Sequence, residues 1–564
     1  MNNQELADFL LPKIDKDLTY YETKYPKRPL PETAIVTRYA PSPTGHLHMG
    51  AIFACFIEQK MAHQTGGVFF LRIEDTDKKR EVENGITNII QDLNEFNLVI
   101  DEGVENETTE KGVYGPYVQS QRQEIYQTFA KYLVANDLAY PCFCSAEDLA
   151  RDHEIQISSK ERQGYYGKWA RCRNIPIETA VQRIKNGEKF VLRLKSPGKY
   201  ERKIRFKDLI KGEIEFPEND IDIVLIKSDG LPLYHLAHLV DDYLMRTTHV
   251  IRGEEWLSSV PLHLQLFQVF GFKPPKYAHI PGLSKEEDGN KRKLSKRRDP
   301  EAAISYYHQK GIPPEAVLLY LATIANSNFE DWYEKELKEK GCARLENFQL
   351  DFKKIGVSAV LFDLAKLTNI VKNYIGRLSA EEVYQKALTY AEKYNSAFAK
   401  LLSQDADYSL KVLGIERGGV KPRKDISCFS EVQASIWYMF DELFYAQPLD
   451  YQFQTIKEQE EINRLVNTYL EKYFNIDDDK NTWFEKIKQL AAEFGYAREV
   501  KEYKANPSNY KGHVGDVSMV LRVITTTQST TPDLFELLKL LGKTKLQERF
   551  AWWQKKLSQH RVSQ

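Results

Sequence analysis

The fold of this chain is decided by the stretch Ala34-Ile-Val-Thr-Arg-Tyr-Ala-Pro-Ser-Pro-Thr-Gly-His-Leu-His-Met-Gly50. It opens with β-branched residues, which favour a strand, and residues 41–45 supply turn residues that end the strand. Residues 49–64 are apolar almost all round and stop before Gly66 and Gly67, as a buried helix with a glycine C-cap would. With the apolar run 68–73, the order predicts a parallel βαβ unit whose ligand crevice lies at the carboxyl ends of its strands.

The loop between this strand and this helix carries groups that suit a phosphate. Amides at a helix start attract anions, and His48 can donate a hydrogen bond to a phosphate oxygen. Gly50 leaves the helix start open, so that a nucleotide can approach closely. The alternative is a proline-rich turn in which His48 only caps the helix.

Length and composition bound the class of protein. At 564 residues the chain exceeds a single hydrophobic core, and we expect three to five domains. Its 42% apolar and 28% charged residues are typical of a globular protein. Lys and Arg number 79 against 80 acids, so a polyanion such as RNA must be held by local basic patches.

Cysteine usage and hydropathy bear on location. The six cysteines are sparse and irregularly spaced, which favours a reducing interior over a disulfide scaffold. The first thirty residues show no signal peptide, and no window approaches the roughly 20 apolar residues that cross a bilayer. We expect a cytoplasmic protein with no membrane segment.

A second segment, Lys291-Arg-Lys-Leu-Ser-Lys-Arg-Arg298, holds six basic residues in eight. It follows residues 286–290, which we interpret as a mobile loop. The segment could clamp a triphosphate. The alternative is a solvated charge run, or a nucleic-acid or import patch.

Taken together, the two segments resemble the signatures of class I aminoacyl-tRNA synthetases, as His48-Met-Gly-Ala51 and Lys293-Leu-Ser-Lys-Arg297. Within that class the chain resembles the bacterial-type glutamyl-tRNA synthetases. Three long strings carry this: Thr37-Arg-Tyr-Ala-Pro-Ser-Pro-Thr-Gly45, Leu71-Arg-Ile-Glu-Asp-Thr-Asp77 and Val250-Ile-Arg-Gly-Glu-Glu-Trp256. Ala51 replaces a signature histidine, and Leu294 and Arg297 vary the lysine motif, but no charge needed for the chemistry is lost.

The resemblance implies an α/β architecture with a Rossmann-like parallel-sheet catalytic domain, an inserted acceptor-binding domain and an all-α C-terminal anticodon-binding region. We place an N-terminal extension at 1–33, the catalytic halves at 34–139 and 223–298, and the inserted acceptor-stem domain at 140–222. A helical stem-contact domain follows at 299–375, and helical anticodon-binding domains occupy 376–564. The extension has no assigned role beyond packing on the catalytic domain, and we expect a monomer.

Glutamate has two carboxylates, which arginine binds bidentately. Arg38 and Arg252 are the candidates, although a single arginine is often only part of a surface ion pair. The resemblance implies that the amino acid is surrounded by Arg38, Ser42, Glu74, Tyr234, His238 and Arg252. Glu74 would hold the ammonium group, and His238 stands where the family often has asparagine. Glutamine would leave a buried guanidinium without its anionic partner, so glutamate is preferred.

The implied reaction joins glutamate to tRNA-Glu in two steps. The α-carboxylate attacks the ATP α-phosphate, and the acyl group then passes to the terminal ribose. We expect His48, Lys293, Lys296 and Mg²⁺ to offset the phosphate charge, with no protein nucleophile. The resemblance places ATP against Thr44, His48, Gly50, Glu255, Trp256 and Lys296. Trp256 by itself could equally be a core residue. The family also implies that glutamate activation waits for tRNA.

Cys142-Phe-Cys144 and Cys172 resemble a zinc site that some relatives carry in the insertion. A closed zinc centre takes four ligands, and only three cysteines are present. The family's fourth position is Asn174, a poor ligand. His153, Tyr165 and Tyr166 are the remaining candidates.

Three other functions are weighed. A nucleotidyltransferase with the same loop, or a short relative that modifies a tRNA base, would lack the large helical C-terminal half. A non-catalytic RNA-binding relative should have lost His48 or Lys296. Basic and aromatic residues at 421–424 and 501–511 could meet the anticodon arm, but each stretch could also be an ordinary solvated loop.

Overall fold

The computed structural model describes residues 1–77, 81–418, 422–448 and 450–562, with side chains through residue 556. The chain divides into two compact units. The N-terminal unit comprises Met1–Tyr306 and Val317–Leu364, and the C-terminal unit comprises Tyr307–Ala316 and the chain from Ala365 onward. Among the described residues, none of the helices has both the length and the apolar character that a bilayer span requires.

The chain contains both helices and strands as far as residue 361. In chain order they are α1 (Asn3–Leu10), α2 (Leu18–Lys24), β1 (Val36–Tyr39), α3 (Met49–His63), β2 (Val68–Leu71), α4 (Gly85–Glu95), β3 (Glu102–Val104), β4 (Glu110–Lys111), α5 (Gln123–Ala135), β5 (Ala139–Cys142), α6 (Ala146–Ser158), α7 (Ile177–Lys185), β6 (Val191–Leu194), β7 (Lys203–Asp208), β8 (Gly212–Pro217), β9 (Val224–Ile226), α8 (Tyr234–Leu244), β10 (His249–Gly253), α9 (Val260–Val269), β11 (Lys276–Ile280), β12 (Leu283–Glu287), β13 (Asn290–Lys293), α10 (Ile304–Lys310), α11 (Pro314–Ala325), α12 (Phe329–Lys340) and β14 (Val360–Leu361).

The regular elements described beyond that point are helical. They are α13 (Leu364–Arg377), α14 (Ala380–Tyr394), α15 (Ser396–Gln404), α16 (Ala406–Gly414), α17 (Val432–Ile436), α18 (Asp441–Ala446), α19 (Gln459–Thr468), α20 (Lys480–Glu493), α21 (Val500–Ala505), α22 (Val514–Thr526) and α23 (Leu534–Val562). α23 is interrupted at Gly542, where φ is 70°. The predicted combination of an α/β catalytic region and a helical C-terminal part is therefore confirmed.

The predicted βαβ unit is formed by β1, α3 and β2. β1 and β2 are parallel and in register from Val36↔Val68 to Tyr39↔Leu71. α3 is buried over most of its surface, as its apolar sequence predicts. Gly67 follows it because a Cβ there would lie 1.9 Å from the Ile35 carbonyl oxygen. The Thr248 amide, just before β10, donates to the Val36 carbonyl at 3.0 Å, so the amino ends of β1 and β10 lie side by side.

Two further strand groups lie between residues 139 and 226. β5, β6 and β9 form a small antiparallel sheet, and β7 and β8 form a hairpin. The hairpin joins the parallel pair β10–β11, since β7 pairs with β11 through Asp208 and Tyr277. This pairing places Asp208 beside the site described below.

The N-terminal extension is structured and packs on α5. Lys131 on α5 donates to the Ile14 carbonyl at 2.7 Å. Arg28 makes a bidentate ion pair with Glu102, at 2.7 and 3.0 Å, and its guanidinium lies 3.9 Å from the Tyr114 ring centre. The extension thus covers one side of the N-terminal unit.

Candidate active site

A cavity of about 500 Å³ opens at the carboxyl ends of β1 and β10. Most of the predicted ATP and glutamate residues line it: Arg38, His48, Gly50, Glu74, Tyr234, Arg252, Glu255, Trp256, Lys293 and Lys296. Ser42 and Thr44 do not; both are exposed on a tight turn in which the Thr44 amide donates to the Ser42 carbonyl at 2.8 Å. His238 is fully buried behind the cavity wall, with its ring stacked 5.6 Å from that of Tyr234.

His48 both caps α3 and faces the cavity. Its Nδ1 accepts a hydrogen bond from the Ala51 amide at 3.0 Å, so in the neutral ring the proton sits on Nε2. Desolvation by the surrounding protein lowers the pKa of His48, and Lys296 and Lys293 lower it further, while Glu255 opposes them. The neutral His48 ring therefore caps the helix through Nδ1 and keeps an N–H donor on Nε2, so the cap does not prevent it from binding a phosphate.

The basic segment forms the end of a β-hairpin and the loop after it. β12 and β13 pair through a two-residue turn at Asp288 and Gly289, both with positive φ, so residues 286–290 are a hairpin. Arg292 forms a bidentate pair with Asp299, at 2.6 and 2.7 Å, and also contacts Glu287. These bonds anchor the loop.

The basic residues of this segment differ in whether they line the cavity. Arg298 lies 3.6 Å from Glu287 and, like Arg292, is turned away from the cavity. Lys293 and Lys296 line the cavity, and among the described residues neither has an ion-pair partner. Lys296 donates to the His46 carbonyl at 2.5 Å, and burial lowers the pKa of its ammonium. Within the segment, Lys293 and Lys296 are therefore the cations placed at the cavity, whereas Arg292 is engaged by Asp299.

Arg38 belongs to a buried network of ion pairs. Arg38 and Arg72 both donate to Asp242 Oδ1, at 3.1 and 2.8 Å, and Arg72 also donates to Glu74 at 3.0 Å. Burial alone would raise the pKa of Asp242, but the two guanidiniums hold it well below its usual range. Burial raises the pKa of Glu74, and Arg72 and Arg38 oppose the rise. Arg122 continues the network to Asp241 at 2.7 Å.

Sequence reasoning missed Arg72, Arg122, Asp241 and Asp242. A signal was available, because Leu239-Val-Asp-Asp242 places two acids in an otherwise apolar helix segment. Such acids are seldom buried unless paired. Nothing in the sequence, however, says which arginines they meet, since Arg38 and Asp242 lie 204 residues apart.

Arg252 lines the same cavity and lies next to aromatic rings. Its guanidinium lies 5.9 Å from the Trp256 ring centre, and the Trp256 ring is tilted by 33° against that of Tyr234, with the ring centres 4.4 Å apart. Trp256 is 36% exposed, so it forms a lip of the cavity and is not a core residue. Arg252 itself is 7% exposed and faces the cavity from a buried position.

The three predicted metal-site cysteines come together. The sulfur atoms of Cys142, Cys144 and Cys172 lie within 4.8 Å of one another. Tyr165 Oη is 3.4 Å from Cys142 Sγ and 3.3 Å from Cys144 Sγ. Of the three other candidate ligands, Tyr165 is the one that reaches the sulfurs. His153 instead contacts Gln163 at 2.8 Å, and Tyr166 donates to a backbone carbonyl at 2.6 Å.

The C-terminal unit has a concave surface of its own, of about 440 Å³. Its lining combines aromatic and cationic side chains, among them Trp483, Phe484, Phe535, Lys480 and Arg522. Arg522 Nε is buried with no hydrogen-bond partner among the described residues, and burial lowers the pKa of this guanidinium. This surface was not predicted, because its residues are scattered over three helices. Two stretches were predicted to bind RNA. In the first, residues 421–424, Lys421 lies outside the described residues. In the second, residues 501–511, Lys511 is paired with Glu461 at 2.7 Å.

Fold and site together define a class. The family model described as the catalytic domain of class I tRNA synthetases (E and Q) matches residues 34–355. The chain is therefore a class I tRNA synthetase of the glutamate and glutamine group.

Relatives resolve the group further. The glutamate–tRNA ligase of Clostridium perfringens (strain SM101 / Type A) is 47% identical over 98% of this chain and 99% of its own length. That of Clostridium beijerinckii is also 47% identical, with the same coverage. A crystal structure of a glutamate tRNA ligase from Elizabethkingia meningosepticum in complex with its amino acid matches with a TM-score of 0.74 at 25% identity, over 92% of this chain and 99% of that one. The chain belongs to the glutamate–tRNA ligase family.

Proposed function

We propose that this cavity binds ATP and glutamate side by side, forms glutamyl-adenylate and passes the glutamyl group to tRNA-Glu. One observation carries the proposal. The phosphate-binding candidates His48, Lys293 and Lys296 share a single cavity with the carboxylate-binding candidates Arg38 and Arg252. We expect the enzyme to act as a monomer in the cytoplasm.

The first step needs alignment and charge. The glutamate α-carboxylate attacks the ATP α-phosphate and pyrophosphate leaves, so negative charge shifts onto the leaving phosphates. His48 donates from Nε2, and Lys293 and Lys296 supply positive charge, while Mg²⁺ carried on the phosphates offsets the remainder. In the second step a hydroxyl of the terminal tRNA ribose attacks the acyl carbon and AMP leaves.

The amino acid would lie between the two arginines. Glu74 would hold the ammonium group, and Tyr234, whose hydroxyl lies 3.4 Å from the Arg252 guanidinium, lines the same cavity. For Ser42, Thr44 and His238 the predicted ligand contacts stay predictions, because none of them lines the cavity.

The deciding experiment is glutamate-dependent ATP–pyrophosphate exchange, with and without tRNA-Glu, repeated with glutamine and with tRNA-Gln. Lys296→Ala should lower exchange by about 10²- to 10³-fold, as expected for loss of a cation at a developing charge. Arg298→Ala is the matched control in the same loop and should keep wild-type exchange. If glutamate supported no exchange even with tRNA present, the proposed function would be wrong.

We also propose that Cys142, Cys144, Cys172 and Tyr165 form a tetrahedral zinc site. Three sulfurs and one phenolic oxygen converge within bonding range of one ion, and bound zinc would cross-link the region structurally. Metal analysis of the purified protein should find about one zinc per chain. Cys144→Ser should lose the metal and Tyr165→Phe should weaken it. A metal-free wild-type protein that binds no added zinc would exclude the site.

For tRNA we propose that residues 140–222 contact the acceptor end and residues 299–564 the stem and anticodon arm. The concave surface around Arg522 suits an unstacked base, since aromatic faces and a guanidinium are the usual partners of exposed bases.

A further inference from the structure

Among the described residues, the hydrogen-bond partners of the Arg252 guanidinium are neutral groups. Nε donates to His279 Nε2 at 3.1 Å, and the two terminal nitrogens reach His263 Nδ1 at 3.3 Å, the Trp256 carbonyl at 3.3 Å and Tyr234 Oη at 3.4 Å. Within the described residues, no carboxylate lies within 4 Å of this guanidinium. A buried charge without a counter-ion is costly, so this arrangement is suited to a site that receives an anion.

The other arginine of the site is different. Arg38 shares the carboxylate of Asp242 with Arg72, so its charge is already compensated in the absence of substrate. Replacing a bound carboxylate by a neutral group should therefore cost more binding free energy at Arg252 than at Arg38.

His279 must be neutral to hold Arg252. Its Nδ1 lies 2.6 Å from Asp208 Oδ2 and both residues are buried. Burial alone would raise the pKa of Asp208, but the hydrogen bonds from His279 and two backbone amides lower it, so Asp208 is ionised and only accepts. The His279 proton therefore sits on Nδ1, which leaves Nε2 as the acceptor for Arg252.

His263 works through the opposite tautomer. Its Nδ1 faces Arg252, so its Nε2 carries the proton and donates to His235 Nδ1 at 3.0 Å. Burial holds the pKa of His263 well below its usual range and lowers that of His235 to about 4. Two imidazoles of fixed tautomer therefore accept from two nitrogens of the guanidinium.

We infer that His263 and His279 are positioning residues for amino-acid selection, which fix Arg252 without neutralising it and leave its charge for the side-chain carboxylate of glutamate. The inference rests on the proposed glutamate site. The side-chain carboxylate is the partner assigned, because the α-carboxylate is the nucleophile and a tight ion pair would weaken its attack. An anionic residue at either histidine position would orient Arg252 equally well but cancel its charge, and the preference for glutamate over glutamine would fall.

Paired variants separate geometry from charge. Glutamine can place a neutral oxygen where His279 Nε2 lies, whereas glutamate places an anion there. His279→Gln should keep the ratio of kcat/KM for glutamate over glutamine close to that of wild type. His279→Glu should raise KM for glutamate roughly tenfold to a hundredfold and lower the ratio by a similar factor, as for loss of a charged hydrogen bond, with KM for ATP unchanged.

A second pair guards against misfolding. His263→Asn should keep the ratio of kcat/KM for glutamate over glutamine, since asparagine mimics a neutral Nδ1, and His263→Asp should lower it. Thermal melting shows which variants are folded. Equal discrimination by the neutral and acidic members of a folded pair would overturn the inference. A higher KM with an unchanged ratio would also overturn it, because Arg252 would then bind the α-carboxylate. If wild type itself showed no glutamate-dependent exchange, the proposed function would fail instead.

Discussion

At the residue scale, the N-terminal unit buries many charges in pairs, but Glu58 is a buried carboxyl of another kind. It is 2% exposed, lines the cavity from α3, and its Oε2 has no hydrogen-bond partner among the described residues. Burial raises the pKa of Glu58 to about 8, and the charge of Arg38 only partly opposes the rise. Glu58 is therefore largely protonated at neutral pH.

This carboxyl should make stability fall as pH rises. The unfolded chain loses the Glu58 proton near its ordinary pKa of about 4.5, whereas the folded chain keeps it to about 8. Folding therefore binds a proton across that window, and stability decreases as pH rises through it. Glu58→Gln should remove the penalty and stabilise the N-terminal unit at pH 8 by a few kcal/mol, on the order of 1.4 per pKa unit.

Thermal melting of wild type and Glu58→Gln from pH 4 to 9 measures this effect. The two curves should converge at the acid end and separate steadily up to about pH 8. Parallel curves over the whole range would mean that Glu58 is ionised in the folded protein.

At the element scale, the N-cap residue of α3 combines a structural and a chemical role. His48 caps the helix through Nδ1 and keeps Nε2 for the cavity. The C-terminal unit contains a matched cap, because His513 is the N-cap of α22 and accepts from the Gly515 amide at 3.0 Å. Comparing the two separates capping from chemistry.

We expect His48→Asn to keep the helix and lose the reaction. Asparagine is a strong N-cap, so stability should change by less than about 1 kcal/mol. It cannot place an N–H where His48 Nε2 lies, so exchange should fall about 10²- to 10³-fold. His513→Asn should leave both stability and exchange unaltered. Full exchange activity in His48→Asn would reduce His48 to a cap.

The N-terminal extension is a second element with a testable role. The Arg28–Glu102 pair is mostly buried, with side chains 6% and 18% exposed, so Arg28→Ala strands a carboxylate. We expect a loss of about 2 to 4 kcal/mol from the N-terminal unit. Lys16→Ala breaks an exposed pair with Glu124 and should cost below about 1 kcal/mol.

Urea denaturation of both variants, with hydrogen exchange of α5 as the local probe, measures this difference. Equal effects of the two substitutions would show that the extension is held by apolar contacts alone.

At the scale of the whole molecule, each compact unit carries its own concave site. The C-terminal surface combines a partly buried guanidinium, that of Arg522, with aromatic rings. We expect Arg522→Ala to raise KM for tRNA-Glu about tenfold, the usual loss for one base or phosphate contact, with KM for glutamate unchanged. Arg498→Ala, which removes an exposed cation paired with Glu485, is the control.

Aminoacylation kinetics with varied tRNA distinguishes these variants. Equal KM values for tRNA in Arg522→Ala and Arg498→Ala would remove the surface around Arg522 from the tRNA site.

The sequence by itself determined the βαβ unit, the two ATP signatures and the arginines of the cavity, because these depend on contiguous strings whose local geometry is short-range. It could not determine which cations are available to a ligand. Arg292 and Lys296 are indistinguishable as cations in the sequence of the basic segment. In the folded protein Arg292 forms an ion pair with Asp299, whereas Lys296 lines the cavity. Arg38 and Arg252 likewise look alike in the sequence. In the folded protein Asp242 compensates the charge of Arg38, whereas Arg252 donates to the neutral His279. The reason is that the electrostatic potential at a side chain is the sum of the contributions of all neighbouring charges, and folding brings those neighbours together from distant parts of the chain.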